Sequence, residues 1–243
     1  MRLAAAALAL VALALTGCET TAEKSARLEA AAKRLGRPTS GASRGLSIAA
    51  LSTAIKVRST AVVHSREGTA AIVTLRNDSA TALRDIPIEI TVRDASGASI
   101  YSNNRQGLGR ALISVPLIGA HTTLTWVDDQ IQATGIPATV AARVGRSPAV
   151  HGPTPSIALT GAHMVEDPST GPGAAGTVVN HSSIGQRELI VYAVARRGSR
   201  ILAAGRAVIP EAAPSASTPF QLFFIGDPRG GKLSLSVPAT TLR

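Results

Sequence analysis

Apolar and polar residues alternate along Ile86-Pro87-Ile88-Glu89-Ile90-Thr91-Val92, which puts Ile86, Ile88, Ile90 and Val92 on one face. Leu233-Ser234-Leu235-Ser236-Val237 has the same period of two. Such a period marks a half-buried strand, because successive side chains of a strand point to opposite faces. Turn-forming clusters recur along the chain, at Asn77-Asp78-Ser79, Asp94-Ala95-Ser96-Gly97 and Asn103-Asn104. Many short strands with regular turns predict a sandwich or barrel. No segment after residue 36 carries a helical period. Before it, Thr20-Thr21-Ala22-Glu23 has the S/T-x-x-E form of a capping box and opens a run of helix formers to Leu35. Glu23/Arg27 and Glu29/Lys33 are acid-then-base pairs at the favourable i,i+4 spacing. Gly36 and Pro38 end the helix. Its large apolar residues are only Leu28 and Leu35 among alanines, which predicts a solvated spacer, the alternative being a weak helix–helix seam. The helix would extend about 22 Å. Residues 36–45 read as a flexible linker of roughly 17 Å r.m.s. span, so the folded part would stand tens of ångströms from whatever precedes the helix.

The β pattern occurs twice. Ala71 to Ser79, Ile86 to Val92 and Ser96 to Tyr101 have counterparts in Gly176 to Ser182, Leu189 to Val194 and Arg197 to Leu202. Asn77 and Asn180 stand 103 positions apart, and Gly97 and Gly198 stand 101 apart. Val115-Pro116 followed by Trp126 parallels Ile209-Pro210 followed by Phe220. Val178, Asn180, Leu189 to Val194, Gly198, Ile201 and Phe220 to Phe224 follow an order that resembles the small bacterial immunoglobulin-like domains of the FxLYD type. The resemblance covers most of 153–243 and, more faintly, 46–147. It implies non-catalytic modules on anchored extracytoplasmic proteins. The aspartate of that family's Leu-Tyr-Asp stretch is absent, since Tyr192 is followed by Ala193.

The amino terminus changes the picture. Leu3 to Leu15 uses only Leu, Ala and Val, too short to cross a bilayer, which needs about 20 residues. With Arg2 before it, this reads as a secretory signal. Its exit, Leu15-Thr16-Gly17-Cys18, resembles the lipobox of bacterial lipoproteins, and the resemblance implies a diacylglycerol on Cys18 and cleavage before it. Cys18 is the one cysteine of the 243-residue chain, so no internal disulfide or Cys-based zinc site exists. The formal net charge is +10, concentrated near this anchor. Residues 24–66 carry Lys24, Arg27, Lys33, Arg34, Arg37, Arg44, Lys56, Arg58 and Arg66 against Glu29. Beside a lipid anchor, Lys24, Arg27, Lys33, Arg34, Arg37 and Arg44 fit anionic head groups or a merely soluble linker. Aromatic residues make up 2% of the chain, which argues against base-stacking nucleic-acid modules.

Several motifs match chemistry in form only. Gly41-Ala42-Ser43-Arg44-Gly45 has the G-x-S-x-G form, but it lies in the linker without the strand and helix that a nucleophile elbow needs. Gly171-Pro172-Gly173-Ala174-Ala175-Gly176 has the G-x-G-x-x-G form, but it leads into a strand and reads as a hairpin loop. His163 with Glu166 and Asp167 reads as a solvated turn. Asp128-Asp129 could be paired carboxylates, with no second catalytic group placed near them. Asn77-Asp78-Ser79 and Asn180-His181-Ser182 match the glycosylation sequon and read as turns. One feature points to binding: both faces of Leu189 to Val194 are apolar, as are those of Phe220 to Ile225. If these runs share a sheet, Ile190, Tyr192, Val194, Phe223 and Ile225 form an exposed partner surface, unless the first module or a loop covers them.

The expectation is an all-β chain of two tandem immunoglobulin-like β-sandwiches preceded by a signal peptide and a short helical stalk. Residues 1–17 form the signal and 18–45 the lipidated Cys18, stalk and linker. Residues 46–147 form the first sandwich, 148–156 a Pro-rich connector and 157–243 the second. The expected function is a non-enzymatic, lipid-anchored interaction or envelope-scaffolding module outside the cytoplasm. Its partners would be membrane lipid through Cys18 and an envelope protein, with no metal, cofactor or nucleic acid. The alternative is a small-ligand-binding lipoprotein.

Overall fold

A computed structural model describes residues 20–35, 46–167 and 171–242. The signal, Cys18, Arg37, Arg44 and the Gly41 to Gly45 motif lie outside the described residues, as do the side chains of Lys33 and Arg34. Among the described residues the chain is mostly β, in antiparallel sheets, with one α-helix, α1 (Thr21–Leu35). The capping box forms: the Thr20 amide donates to Glu23 Oε2 at 2.8 Å, and the Glu23 amide to Thr20 Oγ1 at 3.3 Å.

The first half contains β1 (Ile55–Ser65), β2 (Gly68–Asn77), β3 (Leu83–Arg93), β4 (Ser99–Ser102), β5 (Ser114–Ile118), β6 (Thr123–Asp128) and β7 (Thr139–Val144). One sheet runs β1-β2-β6, and β3 pairs with β4, β5 and β7. The second half contains β8 (Ile157–Asp167), β9 (Gly171–Asn180), β10 (Gln186–Arg197), β11 (Arg200–Ala212), β12 (Ser217–Phe223), β13 (Ile225–Gly226) and β14 (Lys232–Ser236). Its sheets run β12-β9-β8 and β13-β11-β10-β14. Strand β9 already starts at Gly171, so Gly171 to Gly176 is strand rather than hairpin loop. The small residues there let β12 lie close, and a Cβ on Gly173 would strike the Leu222 carbonyl.

The sequence repeat is a structural repeat. Asn77 Nδ2 donates to the carbonyls of Thr81, Ile118 and Gly119, and its Oδ1 accepts from Ser79. Asn180 Nδ2 donates to those of Ile184, Ala212 and Ala213, and its Oδ1 accepts from Ser182. Both asparagines are fully buried. The equivalence extends to the backbone. Asp85 and Glu188, each eight residues past its asparagine, have φ of 52° and 49°. The connector is tied to the first half, with the Arg84 amide donating to the Pro148 carbonyl and the Val150 amide to the Ala82 carbonyl.

Two apolar clusters form. One centres on Trp126, Ile72, Leu75 and the Ile86, Ile88, Ile90 and Val92 face of β3. The other fills the space between the second-half sheets with Leu189, Val191, Phe220, Leu222 and Phe224. Strand β10 serves both. Leu189, Val191 and Ala193 enter the second cluster, while Ile190, Tyr192 and Val194 enter the first together with Ala204 and Ile225. This corrects the exposed-surface expectation: Ile190, Tyr192, Val194 and Ile225 are buried, and Phe223 is half-buried. A strand pressed between two cores shows the same double-sided pattern as one with a bare face.

Candidate functional site

The helix is no solvated stalk. It lies along β11 with Thr21 and Glu29 buried. Its first turn is fastened to the β1–β2 turn: the Ala22 amide donates to the Glu67 carbonyl at 3.1 Å, and Thr21 Oγ1 to Glu67 Oε2 at 3.2 Å. Ala22 packs on Gly68, whose φ of +131° suits glycine and where a Cβ would collide with Ala22. The helix needed few large apolar residues because a buried ion pair fixes it.

That pair centres on Arg206 of β11. Its Nε donates to Asp129 Oδ1 at 2.7 Å and its Nη2 to Glu29 Oε2 at 2.5 Å. The Arg206 side chain is 1% exposed, Asp129 1% and Glu29 4%. Strand β13 pairs only with Ala203 and Ala204, so beyond it β11 has a free edge among the described residues. Asp129 Oδ2 caps this edge by accepting from the Arg206 amide at 3.2 Å. Ser25 Oγ donates to the same oxygen at 2.9 Å, and Gln130 Nε2 donates to Glu29 Oε2 at 2.7 Å. Asp128 lies alongside, with Oδ2 accepting from the Tyr101 hydroxyl at 3.1 Å and Oδ1 from the Gln130 amide at 3.0 Å. The structure thus gives the Asp128-Asp129 pair its neighbours, a guanidinium and a phenol. The Asp128-Asp129 dipeptide was visible in the sequence, but Arg206 carried no local signal and Glu29 showed only its i,i+4 spacing to Lys33.

Burial sets the electrostatics. It pushes the Asp128 carboxyl up to about 6, against the pull of Arg206 and the Gln130 amide. Burial and the neighbouring Asp128 raise the Tyr101 phenol. Burial alone would lower Arg206, but Asp129, Glu29 and Asp128 outweigh it and hold the guanidinium charged. Two buried donors in this cluster, Arg206 Nη1 and the Tyr192 hydroxyl, have no hydrogen-bond partner among the described residues.

A cleft of about 500 Å³ opens between α1, β11 and β12, with Glu29 and Arg206 among its lining. Leu28, Val208, Pro210, Pro219 and Phe220 supply apolar walls. The size suits a small apolar ligand, and a guanidinium suits a hydrogen-bond acceptor. Lys24 Nζ lies 6.0 Å from the centre of the Phe223 ring at the same helix.

No protein-family model matches the chain, and no curated protein matches it. Among solved structures, the exo-chitosanase of Amycolatopsis orientalis aligns at 14% identity and a TM-score of 0.28, over 74% of this chain and 25% of that one. Red sea bream transglutaminase aligns at 13% and 0.24, over 77% and 29%. The chain spans between a quarter and a third of each of these proteins, and likenesses this slight carry no argument about its activity.

Proposed function

We propose that this chain is a lipid-anchored extracytoplasmic protein acting as a non-enzymatic interaction or scaffolding module. Its body would be two tandem immunoglobulin-like sandwiches of the FxLYD type. The observation that supports this best is the seating of α1. The helix begins three residues after Cys18 and grips both halves, through Glu67 in the first and Arg206 in the second. An acyl chain on Cys18 would therefore hold the whole β body at the outer face of the plasma membrane or at the outer membrane, presented as one piece to an envelope protein. Cys18→Ser is expected to abolish incorporation of labelled fatty acid and release the protein from the membrane fraction. Continued labelling of the serine variant overturns the anchor.

The cleft beside Arg206 favours a second reading, a small-ligand-binding lipoprotein. A small molecule retained by the wild-type protein in native mass spectra, and lost from a Val208→Trp variant that fills the cleft, would favour it over scaffolding.

A further inference from the structure

The seating of α1 also fixes which end of the body faces the anchor. Cys18 and Thr21 are three residue steps apart, at most about 10 Å of extended chain. Ala22 and Ile225 both lie against Gly68, and Ile225 pairs with Ala204. Seven residues further along α1, Glu29 meets Arg206, and the cleft places Ala31 near Val208 and Pro210. The helix therefore runs in the direction of β11, with its start level with Ala204. The β10–β11 turn, four residues before Ala204, projects roughly 13 Å beyond that start, toward the lipid.

This projecting tip is basic. Arg197 and Arg200 flank the turn, and Lys232 pairs across from Arg196. Arg197 donates to the carbonyls of Arg229 and Gly230, tying the β13–β14 loop to the turn. Arg197, Arg200, Arg229 and Lys232 are exposed. Against these five basic residues stand Asp227, paired with Arg229 at 2.8 Å, and Glu166, whose charge Arg229 feels, with Asp167 next to it. Arg66 at the β1–β2 turn is paired with Glu67 at 3.2 Å, and Glu23 is engaged by Thr20.

We propose that the β10–β11 turn and the β13–β14 loop form a surface that contacts anionic lipid head groups and orients the anchored body on the membrane. The proposal rests on the anchor reading for its geometry. Its charge chemistry can be tested without acylation.

The test uses the unacylated mature chain, residues 18–243 with Cys18→Ser. It is mixed with vesicles of 30% phosphatidylglycerol in phosphatidylcholine, or of phosphatidylcholine alone. Wild-type surface residues are expected to give salt-sensitive binding to the anionic vesicles only. Arg200→Gln with Lys232→Gln, which disturbs none of the hydrogen bonds described, is expected to weaken it about 25-fold, at about fivefold per basic residue near the surface. Arg84→Gln with Arg187→Gln removes the same charge at the opposite end, where β3 and β10 begin, and is expected to change binding less than about twofold. Equal loss in both double variants, or no preference for anionic vesicles, overturns the proposal. Failed acylation of Cys18 in cells would instead overturn the anchor and leave the vesicle result standing.

Discussion

In the first half, the strand that follows β3 is broken into β4 and β5, whereas its counterpart in the second half, β11, runs unbroken for 13 residues. Each solution leaves backbone groups to satisfy, and each uses a buried polar side chain. Across the break in the first half, Asn103 carries the ladder. Its Nδ2 donates to the carbonyls of Ile88 and Leu112, and its Oδ1 accepts from the Ile90 amide. In the second half the free edge of β11 is closed by Asp129, which reaches across from the first half, and by α1, which covers it from outside the repeat. One repeat closes with a neutral amide from within. The other closes with charges borrowed from elsewhere in the chain, and that borrowing joins the halves.

The largest expected effect strikes this junction. Arg206→Ala leaves Glu29 and Asp129 buried without their guanidinium, and is expected to cost about 3–5 kcal/mol in chemical denaturation. A loss under about 1 kcal/mol would mean that the junction is held by apolar packing alone. Next come the buried asparagines. Asn77→Ala and Asn180→Ala each strand several backbone groups and are expected to cost about 3 kcal/mol apiece. Asn103→Ala is expected to cost about as much, although the second half has no equivalent to lose. Clearly unequal losses from Asn77 and Asn180 would break the equivalence of the repeats.

A somewhat smaller effect depends on pH. Asp128 protonates near 6 in the folded protein and near 3.9 in an unfolded chain. Between about pH 4 and pH 6 the folded state binds more protons than the unfolded state, so stability falls as pH rises through that window. The shift corresponds to a loss of at most about 3 kcal/mol. Asp128→Asn is expected to flatten this part of the stability profile, and an unchanged slope would place the titration elsewhere. The smallest effect concerns the helix alone. Glu23→Ala removes half of the capping box and is expected to cost about 0.5–1 kcal/mol, read as loss of helical signal near residue 21 before the sheets melt.

Strand β3 was legible because one of its faces is apolar and the other is not, and the alternation survives in the order of residues. Strand β10 was legible as a strand but not in its placement. A side chain's hydrophobicity says that it will be covered, not by what, and Tyr192 is covered by the other repeat. The helix was legible to its cap, yet its burial was not. Glu29, spaced i,i+4 from Lys33 on an alanine-rich helix, reads as a solvated charge until Arg206, 177 positions away, is brought beside it. Asn77 and Asn180 were readable as turns through Ser79 and Ser182, two residues on, but their reach to Gly119 and Ala213 was not. Asn103 bridges a strand break that depends on the Leu112 carbonyl nine residues on, and only its turn character showed.

The pairing of residue 29 with residue 206 has a consequence for the order of assembly. Domains generally fold from the amino terminus as the chain is made, and contacts distant in sequence form late because loop closure must precede them. Helix α1 is synthesised before every strand, but its guanidinium partner is made only after the first repeat is complete and the second has reached β11. The contact between α1 and β11 is therefore late to lock, and until it does, the edge of β11 stands open to a neighbouring molecule.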